Sequence, residues 1–176
     1  ASRNGHIDVA RLLLDRGANV ETQNQECMTA LMLASENGHI DVARLLLDRG
    51  ANVDIQKQDG STALITAAFN GDTDTVRLLL KLGANIDIQN QLGRTALMAA
   101  SENGHIDIAR FLLDRSANVD IQQQDGRTAL MLASQNDHTY IVKLLLEAGA
   151  NIETQDQNGE NALMSASRNG HIDTAR

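Results

Sequence analysis

Five histidines recur at one place in the sequence. His6, His39, His105, His138 and His171 each follow Asn-Gly or Asn-Asp. Neutral imidazole is a common metal ligand, so a ladder of metal sites is the first chemistry to test. The spacing speaks against it, because neighbouring histidines stand 33 residues, or twice that, apart. Side chains on successive packed helices are held roughly 8–10 Å apart, whereas zinc ligands sit ~2 Å from their ion. The histidines are therefore expected to stabilise turns between helices, with no metal site and no cofactor. Asp41/Arg44, Asp74/Arg77 and Asp107/Arg110 have the types for acid–base work, but at i, i+3 spacing they read as solvated ion pairs worth a few tenths of a kcal/mol. No Gly-x-Ser-x-Gly, no phosphate-cradling glycine loop and no His-Glu-x-x-His occurs. Catalysis needs one unlike constellation, and this chain repeats like ones, so no enzyme is expected.

The elements that carry these residues are copies of one unit. Gly5, Gly38, Gly71 and Gly104 step by 33, and Asp137 and Gly170 hold the next two places. Ala-Leu pairs at 30–31, 63–64, 96–97, 129–130 and 162–163 keep the same step. Five returns to one spacing mark an internal repeat. The full repeats are 23–55, 56–88, 89–121 and 122–154, with partial repeats at 1–22 and 155–176, all in one domain.

Residues 56–88 serve as the type repeat. Gln56 to Ser61 is polar with a glycine and predicts a hairpin tip. Thr62 is placed to cap a helix A ending at Asn70-Gly71, and Thr29, Thr95, Thr128 and Asn161 hold that place elsewhere. Helix B is expected from about Thr73 to Leu82, with Val76, Leu79 and Leu80 on one buried face. Gly83 fits a left-handed C′ position, and Ala84 to Ile88 reads as an extended exit. Neither helix reaches the roughly 12–15 residues needed for marginal stability alone, so each must bury its apolar face on the next repeat.

Composition agrees. The chain has no Pro, no Trp, one Tyr and two Phe, so Leu, Ile, Val, Met and Ala must fill thin repeated layers. A net charge of −8, with no repeat basic, points away from nucleic acid. No apolar run approaches the ~18 residues of a membrane span, so no membrane partner is expected. Cys27 is alone, which excludes an intrachain disulfide and fits a reducing intracellular, cytoplasmic setting.

Thr62-Ala63-Leu64-Ile65, Gly71-Asp72 and Leu78-Leu79-Leu80-x-x-Gly83-Ala84-Asn85-Ile86-Asp87, with their counterparts, resemble the ankyrin repeat over essentially the whole chain. The resemblance implies an all-α solenoid of helix–turn–helix–hairpin repeats in a right-handed curved array. The family's Thr-Pro-Leu-His appears here as Thr-Ala-Leu-Met or Thr-Ala-Leu-Ile, which implies somewhat looser coupling between repeats. Three glycine positions are lost: Cys27 in a hairpin, Ser116 after a helix B and Asp137 between helices. The first is a hairpin departure, the third is the milder of the other two, and Ser116 is the expected soft spot. Ala1-Ser2-Arg3 matches the end of a helix A and Arg176 stops inside a helix B, so a fragment with uncapped ends and end-to-end self-association is expected.

The resemblance also implies that hairpin tips and helix A ends form a concave face that contacts a protein partner. Those positions differ from copy to copy while the framework repeats. The hairpins carry Glu26/Met28, Asp59/Ser61, Leu92/Arg94, Asp125/Arg127 and Asn158/Glu160, and the helix ends Glu36, Phe69, Glu102, Gln135 and Arg168. The candidate contact residues are Asp59, Ser61, Phe69, Leu92, Arg94, Glu102, Asp125, Arg127 and Gln135. Phe69 and Leu92 are apolar where their counterparts are mostly polar, which suits either an anchor beside Arg94 and Arg127 or local packing. Gln23, Gln56, Gln89, Gln122 and Gln155 suit either a partner-facing strip or an amide ladder between repeats. The expected function is a non-catalytic protein-interaction module. The alternative is a structural spacer or elastic segment of a longer array.

Overall fold

Helix A begins wherever the predicted cap stands. In the computed structural model, which describes residues 3–170 and side chains from Ile7 onward, the Thr29 hydroxyl oxygen accepts the Met32 N–H at 3.3 Å. Thr62, Thr95 and Thr128 do the same for Ile65, Met98 and Met131, and the Asn161 side-chain oxygen accepts from Met164 at 3.1 Å. The chain is an all-α repeat solenoid, with no strand among the described residues.

It forms two compact units, Ala1–Asn85 and Ile86–Arg176. The first holds α1 (Arg3–Asp15), α2 (Ala30–Glu36), α3 (Ile40–Asp48), α4 (Ala63–Asn70) and α5 (Thr73–Lys81). Here α2 packs on α3 and α4, α4 on α5, and α3 on both α1 and α5. The second holds α6 (Ala96–Glu102), α7 (Ile106–Leu113), α8 (Ala129–Gln135), α9 (Thr139–Glu147) and α10 (Ala162–Arg168). In it α8 contacts α6, α9 and α10, and α7 contacts α6 and α9. Within each unit helices thus meet a pair-mate or a counterpart in an adjoining repeat, the nearest-neighbour packing that short helices require.

Helices α6 and α8 are buried almost all round. Ala96 through Ser101 and Ala129 through Ser134 are all buried, and the small Ala side chains let neighbouring helices close on them. Helix B buries one stripe. In α5 this stripe is Thr75, Val76, Leu78 and Leu79, so Leu78 lies deeper than expected and Leu80 is only half-buried. The stripe is centred between two turns of Leu, and the three-leucine run let the pattern be placed one residue too late.

Three further expectations need correction. The exit after helix B is not extended: Ile86-Asp87 is a turn, and the corresponding carboxylates at 21, 54, 87 and 120 each accept a backbone N–H from the next repeat. Helix α1 runs straight through Asn4-Gly5, where later copies turn. Those turns are closed by helix A carbonyls, as in His39 N–H to Ala34 at 2.8 Å, and no helix A precedes α1 among the described residues. Arg110 does not pair with Asp107. It donates to Tyr140 Oη at 2.6 Å, with its guanidinium 5.4 Å from the ring centroid.

The lost glycines do adopt the left-handed backbone. Cys27 (φ 59°), Ser116 (φ 61°) and Asp137 (φ 57°) are the non-glycine residues with positive φ among those described. The framework there dictates conformation over residue type.

Candidate functional site

The hairpin tips are built before any partner is considered. In each, the first residue of the tip donates to the last, as in Lys57 N–H to Ser61 at 3.0 Å and Asn90 N–H to Arg94 at 3.0 Å. Successive tips are then joined by backbone bonds: Gln58 to Glu26 at 3.1 Å in the first unit, Gln124 to Leu92 and Gln157 to Asp125 in the second. The approach is close. A Cβ on Gly93 would lie 2.9 Å from Gln123 Cα, so that position admits no side chain. Gln89 Nε2 donates to Gly93 O and to Gln122 O, and Gln122 Nε2 to Gly126 O and Gln155 O. The glutamines of the second unit are therefore an amide ladder inside the framework.

The ring of His138 joins two repeats. His138 Nε2 lies 3.0 Å from the Glu102 carbonyl oxygen of the preceding repeat, so that nitrogen carries the proton. Burial pushes the His138 pKa below its ordinary value, with His105 adding to the shift and Asp137 opposing it. Asp72 takes the same place in the second repeat, where it caps α5 by accepting from Thr75 N–H at 3.1 Å. His6 and His171, and the helix B expected after Gly170, lie outside the described side chains.

On this scaffold the second unit carries closed pairs. Arg94 makes an ion pair with Glu102, both side chains about a quarter exposed. Burial draws the Arg94 pKa down, with Arg127 adding to the effect and Asp125 opposing it. Arg127 Nε lies 2.7 Å from Asp125 Oδ2, and its Nη1 donates to Gln135 at 3.2 Å. Glu160 pairs with Arg168. Arg94–Glu102, Arg127–Gln135 and Glu160–Arg168 are each eight residues apart and tie a hairpin to the last turn of its own helix A. A groove of about 230 Å³ opens over Asp125, Arg127, Gln135, Asn158, Glu160 and Arg168. The last three were not among the candidates, although adding 33 to Asp125, Arg127 and Gln135 reaches them.

The first unit is different. Asp59 accepts the Ser61 N–H at 2.7 Å and has Lys57 Nζ at 3.3 Å. Burial alone would raise the Asp59 pKa, but Ser61 and Lys57 hold it below the ordinary value. Ser61 is buried and serves its own hairpin, so it offers no contact surface. Phe69 closes α4 with half its surface exposed, and Leu92, in the other unit, is also exposed. The described structure thus brings together Arg94 with Glu102, and Asp125 with Arg127 and Gln135. Phe69 and Leu92 stand in separate units.

Short paired helices with repeated caps, joined by interlocked hairpins and bearing a face that varies from copy to copy, define a helical repeat protein. The family profile described as ankyrin repeats (3 copies) matches residues 1–57, 51–125 and 115–176, and the chain belongs to that family. A comparison with curated proteins gives no match. Ankyrin repeats are generally protein–protein interaction modules, and the family is typically non-catalytic. No described helix is long and apolar enough to cross a membrane.

Proposed function

We propose that this chain is a non-catalytic module that captures a protein partner on its hairpin tips and helix A ends, acting as one array of repeats over 1–176. One observation carries the reading. The caps, hairpin bonds and amide ladder recur every 33 residues, while the paired positions read Met28/Glu36, Ser61/Phe69, Arg94/Glu102, Arg127/Gln135 and Glu160/Arg168. A repeated scaffold of caps, hairpin bonds and ladder that carries changing residues at these positions suits a face that is presented to a partner. The lone thiol of Cys27 and the absence of a basic repeat keep the reading to an intracellular protein partner, without nucleic acid.

A second reading has its own support. Arg94–Glu102 and Glu160–Arg168 are satisfied within the chain, as befits a spacer whose surface meets nothing. Selection of peptides from a random display library on the whole chain separates the two. Binders that saturate and are lost with Arg127→Glu or Glu36→Lys, but kept with the helix B change Lys143→Glu, support capture on this face. A spacer yields no saturable binder, or binders indifferent to all three changes.

A further inference from the structure

In the second unit every hairpin-to-helix pair closes on itself, whereas in the first unit the Glu36 carboxylate has no such mate. Met28 faces Glu36 across the same eight-residue register, and Ser61 faces Phe69. Met28 is buried and apolar, so it leaves the charge of Glu36 unanswered. The carboxylates of Glu26 and Glu36 have no hydrogen bond or ion pair among the described residues. Phe69 is 49% exposed. These groups lie together. Asn70 Nδ2 donates to Glu36 O at 3.3 Å, which sets the end of α4, with Phe69, beside the end of α2. Gln58 N–H to Glu26 O at 3.1 Å sets the two hairpin tips, with Glu26 and Asp59, side by side. The one cation at those tips, Lys57, is already engaged by Asp59 at 3.3 Å.

We infer that this face of the first unit docks an extended peptide segment carrying an apolar or aromatic side chain within two residues of Lys or Arg. The apolar group covers Phe69, and the cation answers Glu36, with Glu26 extending the acidic track. Charge complementarity selects the occupant. An acidic segment would meet unpaired carboxylates, and a neutral one would leave them facing a newly dried surface, where an unpaired charge is penalised. Exposed aromatic residues are the usual anchors of such contacts. The inference rests on the capture reading above and narrows it to one unit and one partner chemistry.

The test selects random 12-residue peptides on the whole chain, sequences the pool and titrates the enriched peptides by fluorescence anisotropy. The expected pool pairs Phe, Leu or Trp with nearby Lys or Arg. Affinity should fall about tenfold or more with Phe69→Ser and with Glu36→Lys, the scale of a truncated hot spot. Asp41→Lys makes the same charge change on helix B and should leave affinity within about twofold, which separates a defined site from attraction to a chain of charge −8. Glu36→Gln, whose side chain is exposed and unpaired, keeps the test open if Phe69→Ser fails to fold. Four results overturn the inference: an acidic or neutral pool, no enrichment, basic binders indifferent to Phe69→Ser and Glu36→Gln, or a concentration-dependent dimer that Phe69→Ser abolishes. If binders are lost only with Arg127→Glu, capture on this face stands and the inference falls. If no change on the hairpin and helix A face matters, both fall.

Discussion

Ser116 and His138 show how single residues feel the framework. Ser116 sits at φ 61° where the other repeats carry glycine, and an L side chain in that region is strained by roughly 1–2 kcal/mol. Ser116→Gly should raise the stability measured by urea unfolding by roughly 0.5–1 kcal/mol, less than the full strain because glycine also loosens the unfolded chain. Asp137→Gly should gain less, since Asp tolerates the left-handed region. A loss of stability in Ser116→Gly would show that the serine side chain contributes something the backbone does not reveal. At His138 the sign runs the other way. Its folded pKa lies below the ordinary 6.5, because burial disfavours the charged ring, so the unfolded chain takes up the proton more readily. Stability is therefore full above about pH 6.5 and falls as the pH drops through that value toward the folded pKa. Asp59, with its pKa held below 3.8, titrates in a separate and more acidic window. The melting temperature should fall more between pH 7.5 and 5.5 in the parent chain than in His138→Gln, and equal slopes would remove His138 as the sensor.

At the scale of the elements, the hairpin at Gly93 is constrained by contact and the end of helix B at Gly83 by conformation alone. Gly83 and Gly93 both have positive φ, 92° and 77°, but nothing lies within 4 Å of a Cβ added to Gly83. At Gly93 the Gln123 and Gln124 backbone would be met at 2.9 Å. Gly83→Ala should cost about 1–2 kcal/mol from the backbone alone. Gly93→Ala should cost clearly more, because the next hairpin must also move, and equal melting temperatures for the two variants would refute that account. This difference marks where the sequence stops being readable. Caps, helix bounds and the left-handed positions follow from local rules: Thr62 and Gly71 behave as their types and places predict, and Ser116 as its place does. Contacts between repeats do not. The turn at Ile86-Asp87 looked extended because Ile86 and Ile88 alternate with polar residues, but a carboxylate bond to the next repeat bends it. The closing of Arg94 on Glu102 was equally hidden, since nothing local says which of several charges a hairpin side chain will reach.

Across the whole molecule, one bond recurs in both compact units and tests whether stability is a sum of neighbours. Asp54 Oδ1 accepts the Asn85 N–H at 2.9 Å in the first unit, and Asp120 Oδ1 accepts the Asn151 N–H at 2.9 Å in the second. In each case an asparagine of the same turn, Asn52 or Asn118, fixes the carboxylate's own backbone by accepting its N–H. The bonds are exposed, so each is worth less than a buried charge-assisted one, about 1 kcal/mol. Asp54→Ala and Asp120→Ala should therefore lower stability by about that amount each. Asp→Asn at either site keeps an acceptor oxygen and should restore about half. The double alanine variant decides the larger question. The two sites share no partner, and a solenoid whose repeats feel only their neighbours should give additive losses, within ~0.5 kcal/mol. A double variant that falls well below the sum in urea unfolding would mean that strain travels further than one repeat. The framework would then be a single cooperative body, and a partner held at Phe69 would be felt at Asp120.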